Sequence, residues 1–200
     1  MTKCCKCDKT FRLFEKRIEK RDGSGKKIFY CRKCFKLLED ENFKSSIRGL
    51  YTAGAKLVNL GKYKEAIKYF DKVLKKNSNQ KLALFQKGVS LVKINKSKSA
   101  IQCYDKILKN NPENKDAIFL KGVALFEHNE YKKAIECFDL LLQKEPENIM
   151  FLINKGLALS KSGTQEQISE CFEKILRIDP NNRTAKSEMD IIKNCTRTAK

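Results

Sequence analysis

Residues 115–148 read KDAIFLKGVALFEHNEYKKAIECFDLLLQKEPEN. Apolar residues recur at helical spacing in two runs, Ile118, Leu125 and Phe126 in the first, then Ala134, Ile135, Phe138, Leu141 and Leu142 in the second. Asn129 sits in the short turn between them, and Pro146 stops the second run because proline cannot continue a helix interior. The stretch reads as a helix hairpin too small to bury its own apolar face.

Outward from this stretch the same pattern returns every 34 residues, through Pro112, Pro146 and Pro180, through Gly54, Gly88, Gly122 and Gly156, and through Cys103, Cys137 and Cys171. Four consecutive blocks follow, 47–80, 81–114, 115–148 and 149–182, with no insertion or deletion. Gly61, Asn95, Asn129 and Gly163 occupy the turns, and these residue types tolerate the left-handed conformation that ends a helix. Glycine inside a helix costs about 1 kcal/mol relative to alanine, so a glycine kept in phase four times implies close helix packing. Ala66, Ala100 and Ala134 mark the second helices in the same way, and Phe70, Tyr104, Phe138 and Phe172 with Leu74, Leu108, Leu142 and Leu176 fill the layers between. The expected product is an all-α solenoid whose hairpins contact mainly their neighbours. Residues 183–200 continue the period weakly through Ala185, Met189, Ile191 and Ile192, as a capping helix that frays from about Thr196.

The pattern resembles the tetratricopeptide repeat (TPR) family over 136 of the 200 residues. The family's Gly at block position eight is present in all four blocks, as is the aromatic at twenty-four; Ala at twenty and Pro at thirty-two are each present in three. Ser78 replaces one Pro, which should loosen that boundary, and Ile168 replaces one Ala, which should shift the register of the last hairpin. Lys87, Lys121 and Lys155 before the glycines resemble a variant frequent in archaeal members.

The chain has 200 residues and a mass of 23.1 kDa, 41% apolar and 34% charged, the balance of a soluble helical protein. No run approaches the roughly 18–20 apolar residues of a membrane-spanning helix, and the Lys- and Cys-dense first 30 residues lack a secretory h-region, so a cytoplasmic location is expected. Charge is unevenly placed: of the net +19, residues 1–114 carry +18.

Five of the nine cysteines crowd into residues 4–34, as Cys4-Cys5-Lys6-Cys7 and Cys31-Arg32-Lys33-Cys34. Two such pairs suit a structural Zn²⁺ held by four thiolates, with Cys4, Cys7, Cys31 and Cys34 as ligands and Cys5 as an alternative first ligand. Strands over Phe11–Ile18 and Lys26–Tyr30 would flank the turn Asp22-Gly23-Ser24-Gly25, and a helix would start after Cys34. Residues 1–46 therefore resemble a treble-clef zinc finger, a small zinc-binding α+β module ahead of the four repeats (47–182) and the cap (183–200). Cys103, Cys137 and Cys171 instead read as small packing residues of the second helices.

Among function classes an enzyme is disfavoured, because His128 is the single histidine and no nucleophile–base constellation or phosphate-cradling loop can be assembled. The TPR resemblance implies a groove lined by block positions five and nine, Tyr51, Phe85, Phe119 and Ile153 with Ala55, Val89, Val123 and Leu157. That apolar lining suits a partner protein's helix or extended apolar segment. The alternative covering of these residues is one another or the helix after Cys34, and pairing with a second copy is also open. A second function class is nucleic-acid binding by Lys6, Lys16, Arg17, Lys20, Arg21, Lys26, Lys27, Arg32 and Lys33, with the basic first two repeats extending the field. An acidic protein would satisfy the same charge.

Overall fold

A computed structural model describes residues 17–21, 27–31 and 45–198 of the chain, with side chains described from 45 to 194. Among the described residues there are two strands, β1 (Arg17–Arg21) and β2 (Lys27–Cys31), and nine helices: α1 (Ile47–Asn59), α2 (Tyr63–Lys76), α3 (Lys81–Lys93), α4 (Ser97–Asn110), α5 (Lys115–Glu127), α6 (Tyr131–Lys144), α7 (Ile149–Ser162), α8 (Gln165–Ile178) and α9 (Arg183–Thr198). The odd-numbered helices all begin on the 34-residue phase, at positions 47, 81, 115, 149 and 183. That regularity has a local cause. The residue before each start caps it: Ser46 Oγ accepts from the Gly49 N–H at 3.0 Å, Gln80 Oε1 from Ala83 at 2.8 Å, Asn114 Oδ1 from Ala117 at 3.0 Å, Asn148 Oδ1 from Phe151 at 3.3 Å and Asn182 Oδ1 from Ala185 at 3.1 Å. Each such bond satisfies an otherwise orphaned donor of the first turn, a contribution of about 1 kcal/mol.

The chain divides into two compact units, residues 1–83 and 84–200. In the first, β1 and β2 pair antiparallel with Arg17 opposite Cys31 and Arg21 opposite Lys27. The described strands overlap the expected Phe11–Ile18 at 17–18 and the expected Lys26–Tyr30 at 27–30 and run on to Arg21 and Cys31, while residues 11–16 and 22–26 lie outside the described residues. Helices α1 and α2 form a hairpin around Leu50, Ala66, Phe70, Val73 and Ala83.

In the second unit successive helices from α4 to α9 pack against one another, and two core clusters recur along them. One holds Leu125, Ala134, Cys137, Phe138, Leu141, Phe151 and Ala158, and the next holds Leu152, Leu159, Cys171, Phe172, Ile175 and Ala185. In every repeat the aromatic of the second helix lies under the glycine of the first. A Cβ on Gly54 would stand 2.7 Å from the Phe70 ring, on Gly88 2.6 Å from Tyr104, on Gly122 2.8 Å from Phe138 and on Gly156 2.7 Å from Phe172. All four rings are fully buried, whereas Leu74, Leu108, Leu142 and Leu176 are only half-buried. Tyr104 departs from the phenylalanines by a hydroxyl, and burial pushes its pKa above the ordinary phenol value.

Several boundaries depart from the sequence expectations. Gly61, Asn95 and Asn129 have φ of 71°, 59° and 62°, but Gly163 is extended at φ −97°, ψ 175°. There Thr164 starts α8 with a capping box, its Oγ1 accepting from the Gln167 N–H at 3.3 Å while Gln167 Oε1 accepts from the Thr164 N–H at 3.0 Å, so no left-handed residue is needed. Ser78 does not loosen its boundary: the Gln80 N–H bonds the Asn77 carbonyl at 3.2 Å, matching Asn114 to Asn111 at 3.1 Å in a turn that contains Pro112. Nor does Ile168 shift the register, since Phe172 still lies against Gly156; Ile168 is half-buried beside that core. In α9, Ala185, Met189 and Ile192 pack on the last hairpin, but Ile191 is 53% exposed and the helix continues to Thr198, beyond the expected fraying point. Asp190 takes the eighth place of this fifth period, where the four full repeats have glycine, and it is exposed.

Candidate functional site

On the first helices of the second unit, block positions five and nine are four residues apart and so share a helix face. All six, Phe85 and Val89 on α3, Phe119 and Val123 on α5, Ile153 and Leu157 on α7, are half-buried. Tyr51 and Ala55 on α1 are half-buried in the first unit. The inner side of each aromatic leans on its own second helix: ring centroids are 6.0 Å apart for Tyr51–Phe70, 6.4 Å for Phe85–Tyr104 and 6.1 Å for Phe119–Phe138. Phe119 also lies 5.6 Å from Phe151, which ties α5 to α7. These aromatics therefore pack within their own repeats, and Phe119 also onto the next one, while keeping accessible apolar surface. Met150, 50% exposed, precedes Ile153 by three residues and extends the face on α7. It was missed in the sequence because its block position is polar in two of the four repeats, Arg48 and Asp116.

Beside this face the lysines that precede the glycines bridge neighbouring repeats. Lys121 Nζ lies 2.7 Å from Asp105 Oδ1, and Lys155 Nζ lies 2.7 Å from Asp139 Oδ1, each joining a first helix to the second helix of the preceding repeat. The sequence carried the signal, since Asp105 and Asp139 keep the 34-residue spacing. Both lysines are less than a third exposed and both aspartates nearly half, so each pair stabilises by at most about 1 kcal/mol. Lys144 Nζ pairs with Glu113 at 3.2 Å, and Lys115 pairs with Glu145. Lys115 donates to the Glu145 carboxylate and holds it below its ordinary pKa.

Cys103, Cys137 and Cys171 are buried in the second helices. Burial pushes Cys137 up to about 11 despite the nearby Lys121 cation, and it raises Cys171 as well. The Cys171 thiol donates to the Leu152 carbonyl at 3.4 Å. Because the thiolate is the nucleophile and the metal-binding form, these positions are built for packing. His128 caps the C-terminus of α5, just beyond the helix that the sequence assigns it to. It is exposed, with Nε2 3.8 Å from Glu130 Oε1.

The front-end candidates are reached only in part. Cys4, Cys7 and Cys34, together with Lys6, Lys16, Lys26, Arg32, Lys33 and the helix expected after Cys34, lie outside the described residues. Cys31 ends β2, Arg17, Lys20 and Arg21 lie on β1 and Lys27 opens β2, all placed by their backbone. Among the described residues no cluster of His, Cys, Asp or Glu could hold a metal, and no helix is long and apolar enough to cross a membrane.

Comparison with known proteins agrees with this architecture. MamA residues 41 to the end from Desulfovibrio magneticus RS-1 are 27% identical with a TM-score of 0.67, covering 76% of this chain and 86% of that one. A MamA RS-1 ArsTM double mutant is 26% identical with a TM-score of 0.66 over the same shares. YrrB, described as a TPR protein with an unusual peptide-binding site, is 18% identical with a TM-score of 0.65, covering 82% of this chain and 83% of that one. No curated protein matches the sequence. The family model described as tetratricopeptide repeat protein 21 N-terminal ARM repeat matches residues 30–183, well over half of the chain. With its in-phase helix starts and its four glycine–aromatic contacts, the chain belongs to that TPR-like helical-repeat family.

Proposed function

We propose that the chain is a non-enzymatic protein-interaction scaffold of the cytoplasm. It holds a partner's helix or extended apolar segment against the first-helix face of its repeats. One observation carries this function: the same two apolar positions, half-buried, recur on α3, α5 and α7 as Phe85, Val89, Phe119, Val123, Ile153 and Leu157. Such a face gains about 25 cal/mol for each Å² of apolar surface that a partner covers. Its lining lacks the fixed polar groups that a terminal carboxylate or a small polar ligand would need. YrrB's described peptide-binding site belongs to a protein whose likeness carries the fold alone, so the proposal rests on the residues of this chain. The test is a double substitution, Val89→Lys with Leu157→Lys, at two half-buried positions of this face. A partner protein captured by the wild-type chain should be lost while helical content and unfolding midpoint are kept. Retained binding would place the contact elsewhere.

We further propose that Cys4, Cys7, Cys31 and Cys34 hold one structural Zn²⁺. The β1–β2 hairpin supports this, because it returns the chain to Cys31, the first cysteine of the second pair, as a treble-clef module requires. Bound metal would supply much of the folding energy of so small a module. About one zinc per purified chain is expected, falling to none in Cys31→Ser with Cys34→Ser while the helical repeats stay folded. Wild-type protein without zinc would overturn the assignment.

A further inference from the structure

Helix α2 carries a surface that the partner groove does not use. Lys64, Lys68, Lys72 and Lys76 follow one another at four-residue intervals, with Lys62 at the helix start and Lys75 beside the last, and all six are exposed. The buried stripe of this helix is Ala66, Phe70 and Val73. The lysines at 64, 68 and 72 are two residues out of step with Ala66 and Phe70, which at 3.6 residues per turn places them about 160° away, on the outer face. Each step along the row rises about 6 Å, so the four span about 18 Å of helix axis. None of the six forms an ion pair among the described residues; Lys72 instead sits with Nζ 5.4 Å over the Tyr69 ring.

This row is particular to α2. At the places of Lys64, Lys68, Lys72 and Lys76, α4 has Lys98, Gln102, Lys106 and Asn110, α6 has Lys132, Glu136, Leu140 and Lys144, and α8 has Glu166, Glu170, Lys174 and Ile178. Like charges four residues apart destabilise a helix, so an unbroken row is carried at a cost to stability. The composition of the row also narrows its ligand. Protein–protein interfaces deplete lysine and rely on buried aromatic or arginine anchors. A membrane-lying helix needs exposed apolar residues. None of the exposed large hydrophobics lies on α2. Regularly spaced ammonium groups without apolar anchors suit a polymer whose charge is itself periodic.

We propose that the exposed lysine row of α2, which winds from the outer face at Lys64, Lys68 and Lys72 to the flank at Lys76, binds the phosphate backbone of nucleic acid independently of sequence. The surface is separate from the apolar face in the proposed scaffold role, and either can fail without the other. The experiment uses the full chain and fluorescein-labelled oligouridylate, titrated from about 50 to about 200 mM salt. Replacing the four lysines by glutamine should weaken binding at least tenfold at the low-salt end and reduce the log–log salt slope by about 3, at about 0.7 per phosphate contact for a single strand. A matched control replaces Lys106, Lys109, Lys132 and Lys161, four exposed lysines of the second unit, with the same change in net charge. It should leave most of the affinity and slope intact, with circular dichroism confirming the fold of both variants. Equal losses in the two variants, no binding at low salt, or equal affinity of the wild type for poly-glutamate or for phosphatidylserine vesicles would overturn the proposal.

Discussion

Phe138→Ala should lower stability by about 3–5 kcal/mol, the range for truncating a fully buried aromatic in a core that cannot close over the gap. Its ring is inaccessible and lies under Gly122, beside Phe119 and within a cluster that includes Leu125, Cys137, Leu141, Phe151 and Ala158. The substitution therefore removes contacts to α5 and α7 as well as within α6. Chemical denaturation followed by far-ultraviolet circular dichroism measures the loss. At about 2–4 °C per kcal/mol for a chain of this size, the thermal midpoint should fall by roughly 10 °C. The solenoid transmits stability through neighbouring units, so the effect should reach the melting of α8 and α9. A loss under about 1 kcal/mol would mean that the ring is not the keystone of this layer.

Gly122→Val should cost about 2 kcal/mol, from the opposite side of the same contact. Any β-carbon at Gly122 lies 2.8 Å from Phe138 Cε1, 3.0 Å from its Cζ and 3.2 Å from the Cys137 Cβ, inside normal contact distance. A ring held by buried neighbours has little room to withdraw. The choice of residue also sets the sign in a simpler variant. Gly122→Ala gains about 1 kcal/mol of helix propensity but meets the same ring, so in the wild-type background it should still destabilise. In a Phe138→Leu background the ring is gone, and Gly122→Ala should become stabilising. Equilibrium unfolding of the four proteins gives the coupling energy as a double-mutant cycle. Additive effects would show that the glycine serves something other than the aromatic.

The repeat phase was legible in the sequence because it depends on residues within one 34-residue period, and Ala66, Ala100 and Ala134 are fully buried, as the packing expectation required. Which large residue meets each glycine was not legible: the fold places the four aromatics beneath the four glycines and leaves the leucines half-buried. The turn at Gly163 was not legible, since its residue type permits the left-handed form and only the Thr164–Gln167 capping box makes that form unnecessary. The bridges from Lys121 to Asp105 and from Lys155 to Asp139 went unread for another reason: a periodic charge announces its spacing but not its partner across a neighbouring helix.

The face on the first helices was legible by position, and its depth was not. Periodicity marks Phe119 as apolar, but only the fold places it against both Phe138 and Phe151 with part of its surface left accessible. Ile191 shows the reverse case, an apolar residue in the helical period of α9 that nevertheless faces solvent. The first strand of the hairpin ahead of the repeats runs three residues past its expected end at Ile18, because alternation in so short a basic segment fixes strand limits weakly.

Asp190 stands where a glycine would let the next ring slide beneath α9. A carboxylate there would be desolvated by any aromatic brought against it, at several times the cost of the methyl clash that glycine avoids elsewhere. Grafting a further hairpin onto α9 would therefore call for Asp190→Gly first, so that the added ring could dock as the other four do.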